Sequence, residues 1–115
     1  MRTYTRARLP GATYFFTVNL AERHGTGLLI QHIEVLREAF RVTKRAHPFV
    51  IEAAVVLPDH LHCLWRLPPD DDDFPMRWRL IKAYFSRMLT HGERVSTSRM
   101  RKGERGIWHG AIGNI

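Results

Sequence analysis

The chain has 115 residues, of which 44% are hydrophobic and 25% charged, the composition of one globular domain spanning residues 1–115. Eighteen lysines and arginines against eleven acidic residues give a formal net charge of +7 and an isoelectric point near 10.5. This excess predicts a polyanionic partner, nucleic acid first, although a basic surface can also serve solubility alone.

The sequence has no feature of a membrane or secreted protein. No apolar stretch approaches the roughly 20 residues that span a bilayer. The N-terminal MRTYTRARLPG carries positive charges with no apolar segment behind them, unlike a signal peptide. A single cysteine, Cys63, agrees with a reducing compartment. We therefore expect a cytoplasmic protein with no membrane partner.

The first half of the chain predicts a strand, a helix and a second strand. Residues 1–12 form a basic N-terminal arm, and the aromatic and β-branched residues 13–20 that follow favour a strand. Residues 32–46 carry an apolar stripe at helical spacing, and Pro48 ends this helix. Residues 49–57, FVIEAAVVL, predict the second strand.

A turn at Pro58 and Asp59 leads into the third predicted strand, residues 60–67. The run PPDDDD at 68–73 predicts a solvated loop, because a charge run in a loop seldom holds a cation.

Residues 75–89 predict a second helix with proline in its first turn, and residues 90–115 predict a basic, loop-like tail. This tail could include one short strand near Trp108. The predicted apolar stripe of the helix comprises Met76, Leu80, Ile81, Tyr84, Phe85 and Met88. The predicted basic face comprises Arg79, Lys82, Ser86 and Arg87.

The order of these elements predicts an α+β fold. It is the β-α-β-β-α-(β) order of a ferredoxin-like domain, an antiparallel sheet with both helices on one face. The other face of the sheet then lies open.

Two histidines on the third strand share that open face. Alternation along a strand puts His60 and His62 on one side and the apolar Leu61, Cys63 and Trp65 on the other, under the helices. Two imidazoles about 7 Å apart along the backbone can converge on one cation. Cys63 is excluded as a third ligand because it points to the core.

A bare His-x-His tripeptide is more often a pair of solvated strand histidines. The basic chain and the open face of the sheet favour a metal site at His60 and His62. A metal ion with unfilled coordination positions there could polarise a phosphate. Asp59 beside them is more often a turn former than a ligand.

Four segments resemble the REP-associated tyrosine transposases, which form the single-tyrosine branch of the HUH nuclease superfamily. The segments are RARLPGATYFFTVNL at 6–20, LPDHLHCLW at 57–65, FPMRWRLIKAYFSR at 74–87 and GERGIW at 103–108. They follow one another in the order of the family and extend to Trp108.

The resemblance implies a ferredoxin-like core with Mg²⁺ or Mn²⁺ at His60 and His62. It also implies that single-stranded DNA is cut and joined next to hairpin-forming repeats. In the family, a tyrosine on a helix after the sheet attacks the phosphodiester and leaves a 5′-phosphotyrosine and a free 3′-hydroxyl. The implied partner is single-stranded or hairpin DNA, and a homodimer is left open because the family includes monomers and dimers.

The resemblance assigns no catalytic residue. The family continues beyond GERGIW with the helix that carries the nucleophile, whereas HGAIGNI follows here, so we expect a truncated copy without that helix. Tyr84 is predicted in the core, Tyr14 in the first strand and Tyr4 in the arm, and none matches the family nucleophile. Catalytic activity of this chain is therefore left open.

Basic side chains of the arm, the second helix and the tail are predicted to contact DNA phosphates. They are Arg6, Arg8, Arg79, Lys82, Arg87, Arg99, Arg101, Lys102 and Arg105. Two alternatives stay open: a non-catalytic nucleic-acid-binding module with vestigial histidines, and a metal-dependent hydrolase in which water attacks.

Overall fold

The computed structural model describes residues 8–20 and 27–92 of the chain. Three strands and two long helices occur where the sequence predicts them, with bounds that differ by up to three residues, and one short helix precedes the first long one. In chain order the elements are β1 Thr13–Asn19, α1 Leu28–Gln31, α2 Ile33–Ala46, β2 Val50–Val56, β3 His60–Arg66 and α3 Phe74–Gly92.

The three described strands form one antiparallel sheet in the order β1-β3-β2. Since β3 runs antiparallel to both neighbours, β1 and β2 are parallel to each other and α2 lies in the crossover between them. This is the split β-α-β arrangement of a ferredoxin-like fold, so the predicted α+β class is confirmed. The strand predicted near Trp108 lies outside the described residues.

Both long helices cover the same face of the sheet. Trp78 of α3 stacks on Trp65 of β3, with ring centroids 4.4 Å apart and planes 16° apart. Phe40 of α2 meets both indoles edge-on, at 6.2 and 5.8 Å. The strand side chains buried beneath the helices are Tyr14, Phe16, Val18, Leu61, Cys63 and Trp65.

The predicted faces of α3 were partly wrong. Leu80 and Met88 are 37% and 41% exposed, although both were placed in the apolar stripe, and Ser86 of the predicted basic face is buried. The stack of Trp78 on Trp65 sets the rotation of the helix, so the buried side is centred on Trp78 rather than on Leu80. It comprises Phe74, Arg77, Trp78, Ile81, Phe85, Ser86 and Leu89.

The ends of α3 also differ from the prediction. The helix continues to Gly92, so residues 90–92 are helical rather than part of a loop-like tail. Asp73 precedes the first turn, and its Oδ1 accepts a hydrogen bond of 3.1 Å from the backbone N–H of Met76. This is N-terminal capping by an aspartate.

The aspartate run forms the predicted loop, in which Asp71 is paired as well as solvated. Its carboxylate accepts hydrogen bonds from Arg77, whose side chain is 1% exposed. The end of the predicted arm is also held in place, because the Gly11 N–H donates to the Asp71 carbonyl over 3.0 Å. None of the described helices is long and apolar enough to cross a membrane.

Candidate functional site

The two histidines of β3 lie on the open face of the sheet, as alternation predicts. His60, His62 and Leu64 are partly exposed, whereas the intervening Leu61 and Cys63 are buried under the helices. The imidazole centroids are 5.1 Å apart and the ring planes are nearly perpendicular, at 84°. The sheet therefore holds the two rings side by side at one end of its central strand.

The His60 ring is bound to its neighbour in the Pro-Asp turn. His60 Nδ1 lies 2.8 Å from Asp59 Oδ1, and both side chains are about a quarter exposed. An ionised carboxylate can only accept a hydrogen bond, so Nδ1 carries a proton, and in the neutral ring Nε2 keeps its lone pair. Asp59 thus fixes the orientation of His60, a role that its place in a turn does not reveal.

The His62 ring is bound across the sheet to β1. The register pairs Thr17 with His62, and Thr17 Oγ1 lies 3.0 Å from His62 Nδ1. The Phe15 ring lies almost parallel to the imidazole, with centroids 5.8 Å apart and planes 10° apart. Neither Phe15 nor Thr17 was predicted to belong to the site. Alternation places Phe15, Thr17 and Asn19 on one face, but it does not give their register with β3.

Two neutral imidazoles with free Nε2 atoms suit a divalent cation. Within residues 8–20 and 27–92, neither Nε2 atom has a hydrogen-bond partner. The same part of the chain contains no group of three or more histidine, cysteine or acidic side chains that could hold a metal. Among the described residues, His60 and His62 thus offer two imidazole nitrogens on one face, and no third such side chain joins them.

Cys63 does not add a third ligand. Its side chain is buried on the opposite face of β3, as predicted, and burial raises the pKa of the thiol to about 12. A thiol binds metal as the thiolate, which this environment disfavours.

The predicted DNA-binding residues of α3 do not lie beside the histidines. Arg79 and Arg87 are exposed on the side of the helix that faces away from the sheet, whereas the histidines lie on the far face of the sheet. The Arg87 guanidinium lies 5.7 Å from the Tyr84 ring centroid. Lys82 is half-buried, and desolvation lowers the pKa of its ammonium group.

The remaining predicted contacts are spread more widely. Arg8 lies near the aspartate loop, with its guanidinium 3.4 Å from Asp72 and 3.7 Å from Asp73. Arg66 was not among the predicted DNA contacts, but alternation along β3 places it on the same face as the histidines, where it pairs with Glu52 over 2.8 Å. The predicted contacts that lie outside the described residues are Arg6, Arg99, Arg101, Lys102 and Arg105.

The fold and the site define an α+β domain that presents two imidazoles on the open face of an antiparallel sheet. The chain is 50% identical over 86 residues to a REP-associated tyrosine transposase of Escherichia coli strain K12, covering 75% of this chain and 52% of the relative. It is 36% identical over 109 residues to a candidate member of the same family from Haemophilus influenzae, covering 94% of this chain and 61% of the relative.

The chain also resembles solved structures of transposases. A REP-associated tyrosine transposase bound to a REP hairpin superposes with a TM-score of 0.79 at 41% identity, over 97% of this chain and 59% of that one. A candidate transposase of Deinococcus radiodurans matches in fold, with a TM-score of 0.63 at 17% identity, over 96% of this chain and 82% of that one. No protein-family model matches the chain.

Over the residues that it shares with these relatives, the chain belongs to the family of the REP-associated tyrosine transposases. It spans between about half and three-fifths of the length of the curated relatives that it matches.

Proposed function

We propose that this chain is a transposase-family domain that binds single-stranded or hairpin DNA and holds Mg²⁺ or Mn²⁺ at His60 and His62. The observation that carries the proposal is the position of the two imidazoles and the hydrogen-bond partners of their ring nitrogens. Both lie on the open face, both Nδ1 atoms are occupied by protein partners, and both Nε2 atoms are free of them within the described chain. The family activity, cutting and joining DNA at hairpin-forming repeats through a tyrosine–DNA intermediate, is proposed for the whole family protein.

Three observations support DNA as the partner. The net charge of +7 favours a polyanion. A relative of 41% identity was solved with a REP hairpin bound. The open face carries Phe15, which is 38% exposed, with Val55, which is 55% exposed, two strands away. Unpaired bases stack on aromatic side chains such as Phe15, whereas bases inside a duplex are already stacked on each other.

The proposed chemistry depends on a bound ion and on the side chains of the open face. When bound, the ion supplies a positive charge that draws electron density from the oxygens of a phosphodiester. His60 and His62 hold it, and Arg66 adds a cation on the same face, about 14 Å from His62 along the strand. Neither Tyr14 nor Tyr84 projects from this face, so no described tyrosine is placed to attack a phosphate there.

Calorimetric titration with Mn²⁺ tests the metal site. Wild type should bind the ion, and His60→Ala and His62→Ala should each abolish or strongly weaken binding. His47→Ala is the matched control, because His47 follows α2 and lies away from the open face. Equal affinity in wild type and His62→Ala would refute the site.

A gel-shift assay with a hairpin oligonucleotide tests the DNA partner. We expect a shift at low salt, and its absence would refute the proposal. DNA binding that is unchanged by a chelator would instead favour the non-catalytic binding module.

A further inference from the structure

We infer that Asp59 and Thr17 are positioning residues that fix the imidazoles of His60 and His62 with Nε2 turned to the metal. This inference rests on the metal site proposed above and deepens it. Each histidine has its own partner at hydrogen-bond distance, and both partners reach the same ring atom, Nδ1. Metal-binding histidines generally need such a partner, because it selects the tautomer and holds the ring.

Asp59 selects the tautomer of His60 outright. Its carboxylate oxygen, 2.8 Å from Nδ1, accepts but cannot donate while it is ionised. In the neutral ring the proton must therefore lie on Nδ1, and the lone pair on Nε2 is available to a cation. A neighbouring negative charge also makes the imidazole more basic and therefore a stronger ligand for the ion.

Thr17 holds the His62 ring but leaves its tautomer adjustable. A hydroxyl both donates and accepts, so Thr17 Oγ1 at 3.0 Å can serve either protonation state of Nδ1. The nearly parallel Phe15 ring lies beside the imidazole, with the ring centroids 5.8 Å apart. Metal binding at Nε2 then requires Thr17 to act as the acceptor.

The two partners predict unequal tautomers in the metal-free protein. His60 should be almost entirely the Nδ1-protonated form, whereas His62 should be a mixture that shifts to the Nδ1-protonated form when Mn²⁺ or a diamagnetic substitute such as Mg²⁺ binds. Loss of such a partner typically lowers metal affinity about 10- to 100-fold. We expect that loss for Asp59→Ala and for Thr17→Val, which keeps the shape of threonine without its hydroxyl.

Nitrogen-15 NMR of the imidazoles, at a pH where they are neutral, reads the tautomers without any metal. Wild type should show Nδ1 protonation at His60, and Asp59→Ala should shift the ring towards Nε2 protonation. A wild-type His60 protonated mainly at Nε2 would overturn the inference. This readout is independent of whether the chain binds metal, so it separates a failure of the inference from a failure of the proposed function.

Calorimetry with Mn²⁺ completes the test. Thr17→Ser, which keeps the hydroxyl, should bind within about threefold of wild type, while Thr17→Val should lose about 10- to 100-fold. Asp59→Asn, which keeps an oxygen acceptor and the turn preference, should fall between wild type and Asp59→Ala. Equal affinity in wild type, Asp59→Ala and Thr17→Val, all folded by circular dichroism, would overturn the positioning role and leave the metal site standing.

Discussion

The guanidinium of Arg77 and the carboxylate of Asp71 form a two-point ion pair, with N–O distances of 3.1 and 2.9 Å. The Arg77 side chain is 1% exposed and that of Asp71 is 32% exposed, so the cation is buried while the anion still meets solvent. Arg77 also donates to the carbonyls of His47 and Pro48, at 3.0 and 2.8 Å. One side chain of α3 therefore ties the end of α2 to the aspartate loop.

Replacing Arg77 should destabilise the fold more than replacing any exposed arginine. Arg77→Met removes the ion pair and leaves the two carbonyl acceptors at the end of α2 without their donors. We expect a loss of about 3 kcal/mol in the free energy of unfolding, measured by urea denaturation. Arg79→Met, two residues away on the exposed side, should change it by less than about 0.5 kcal/mol. Similar losses in the two variants would contradict the structural role of Arg77.

The same pair should make stability depend on acid. The hydrogen bonds from Arg77 lower the pKa of the Asp71 carboxyl in the folded protein. A depressed folded-state pKa stabilises the fold above the unfolded value of about 3.9, and this contribution is lost as the pH falls through the folded value. The free energy of unfolding of wild type should therefore decrease below about pH 4.

Asp71→Asn should be less stable near neutral pH and show a shallower decrease in acid. Asp70→Asn changes an exposed neighbour in the same loop and should keep the wild-type slope. Urea denaturation of the three proteins across the acid range provides the comparison. Parallel curves for wild type and Asp71→Asn would show that this pair does not set the acid response.

Secondary structure and the histidine face were predictable because each depends on local spacing. Alternation alone places His60 opposite Cys63, and the structure agrees. The partner of His62 was not predictable, because Thr17 reaches it through a strand register fixed by long-range packing. Periodicity also failed for Arg77, since hydropathy treats arginine as exposed and cannot register a buried ion pair.

DNA binding should depend on salt and on the open face. Neutralised phosphates release counterions, so affinity for a hairpin oligonucleotide should fall by orders of magnitude between about 50 and about 200 mM salt. Arg66→Gln removes the cation that shares the face of the histidines and should weaken binding and reduce the salt slope by about one.

Arg37→Gln is the matched control for Arg66→Gln. Both arginines are exposed and each pairs with one glutamate, Arg37 with Glu34 over 3.1 Å and Arg66 with Glu52 over 2.8 Å. Arg37 lies on α2, behind the sheet, so its substitution should leave affinity nearly unchanged. Fluorescence anisotropy across a salt series measures both variants. A flat salt response, or equal effects of the two substitutions, would contradict DNA binding at the open face.

A protein of these 115 residues should bind hairpin DNA without becoming covalently attached to it. The sequence contains three tyrosines. The Tyr14 side chain points under the helices, and its hydroxyl exchanges two hydrogen bonds of 2.8 Å with the Leu9 backbone. Tyr84 packs against the core from α3, with Arg87 over its ring. Tyr4 lies outside the described residues.

Moving Tyr14 or Tyr84 to the open face would require breaking core packing, which costs a few kcal/mol for an aromatic side chain. In-line attack is also sensitive to position, since a displacement of about 1 Å can lower the rate about 100-fold. We therefore expect no protein-linked band when labelled hairpin DNA is incubated with protein and Mn²⁺ and run on a denaturing gel, under conditions where a native gel shows binding. A band that is lost in Tyr4→Phe would show that Tyr4 acts as the nucleophile. A band that survives substitution of all three tyrosines by phenylalanine would assign the attack to another side chain.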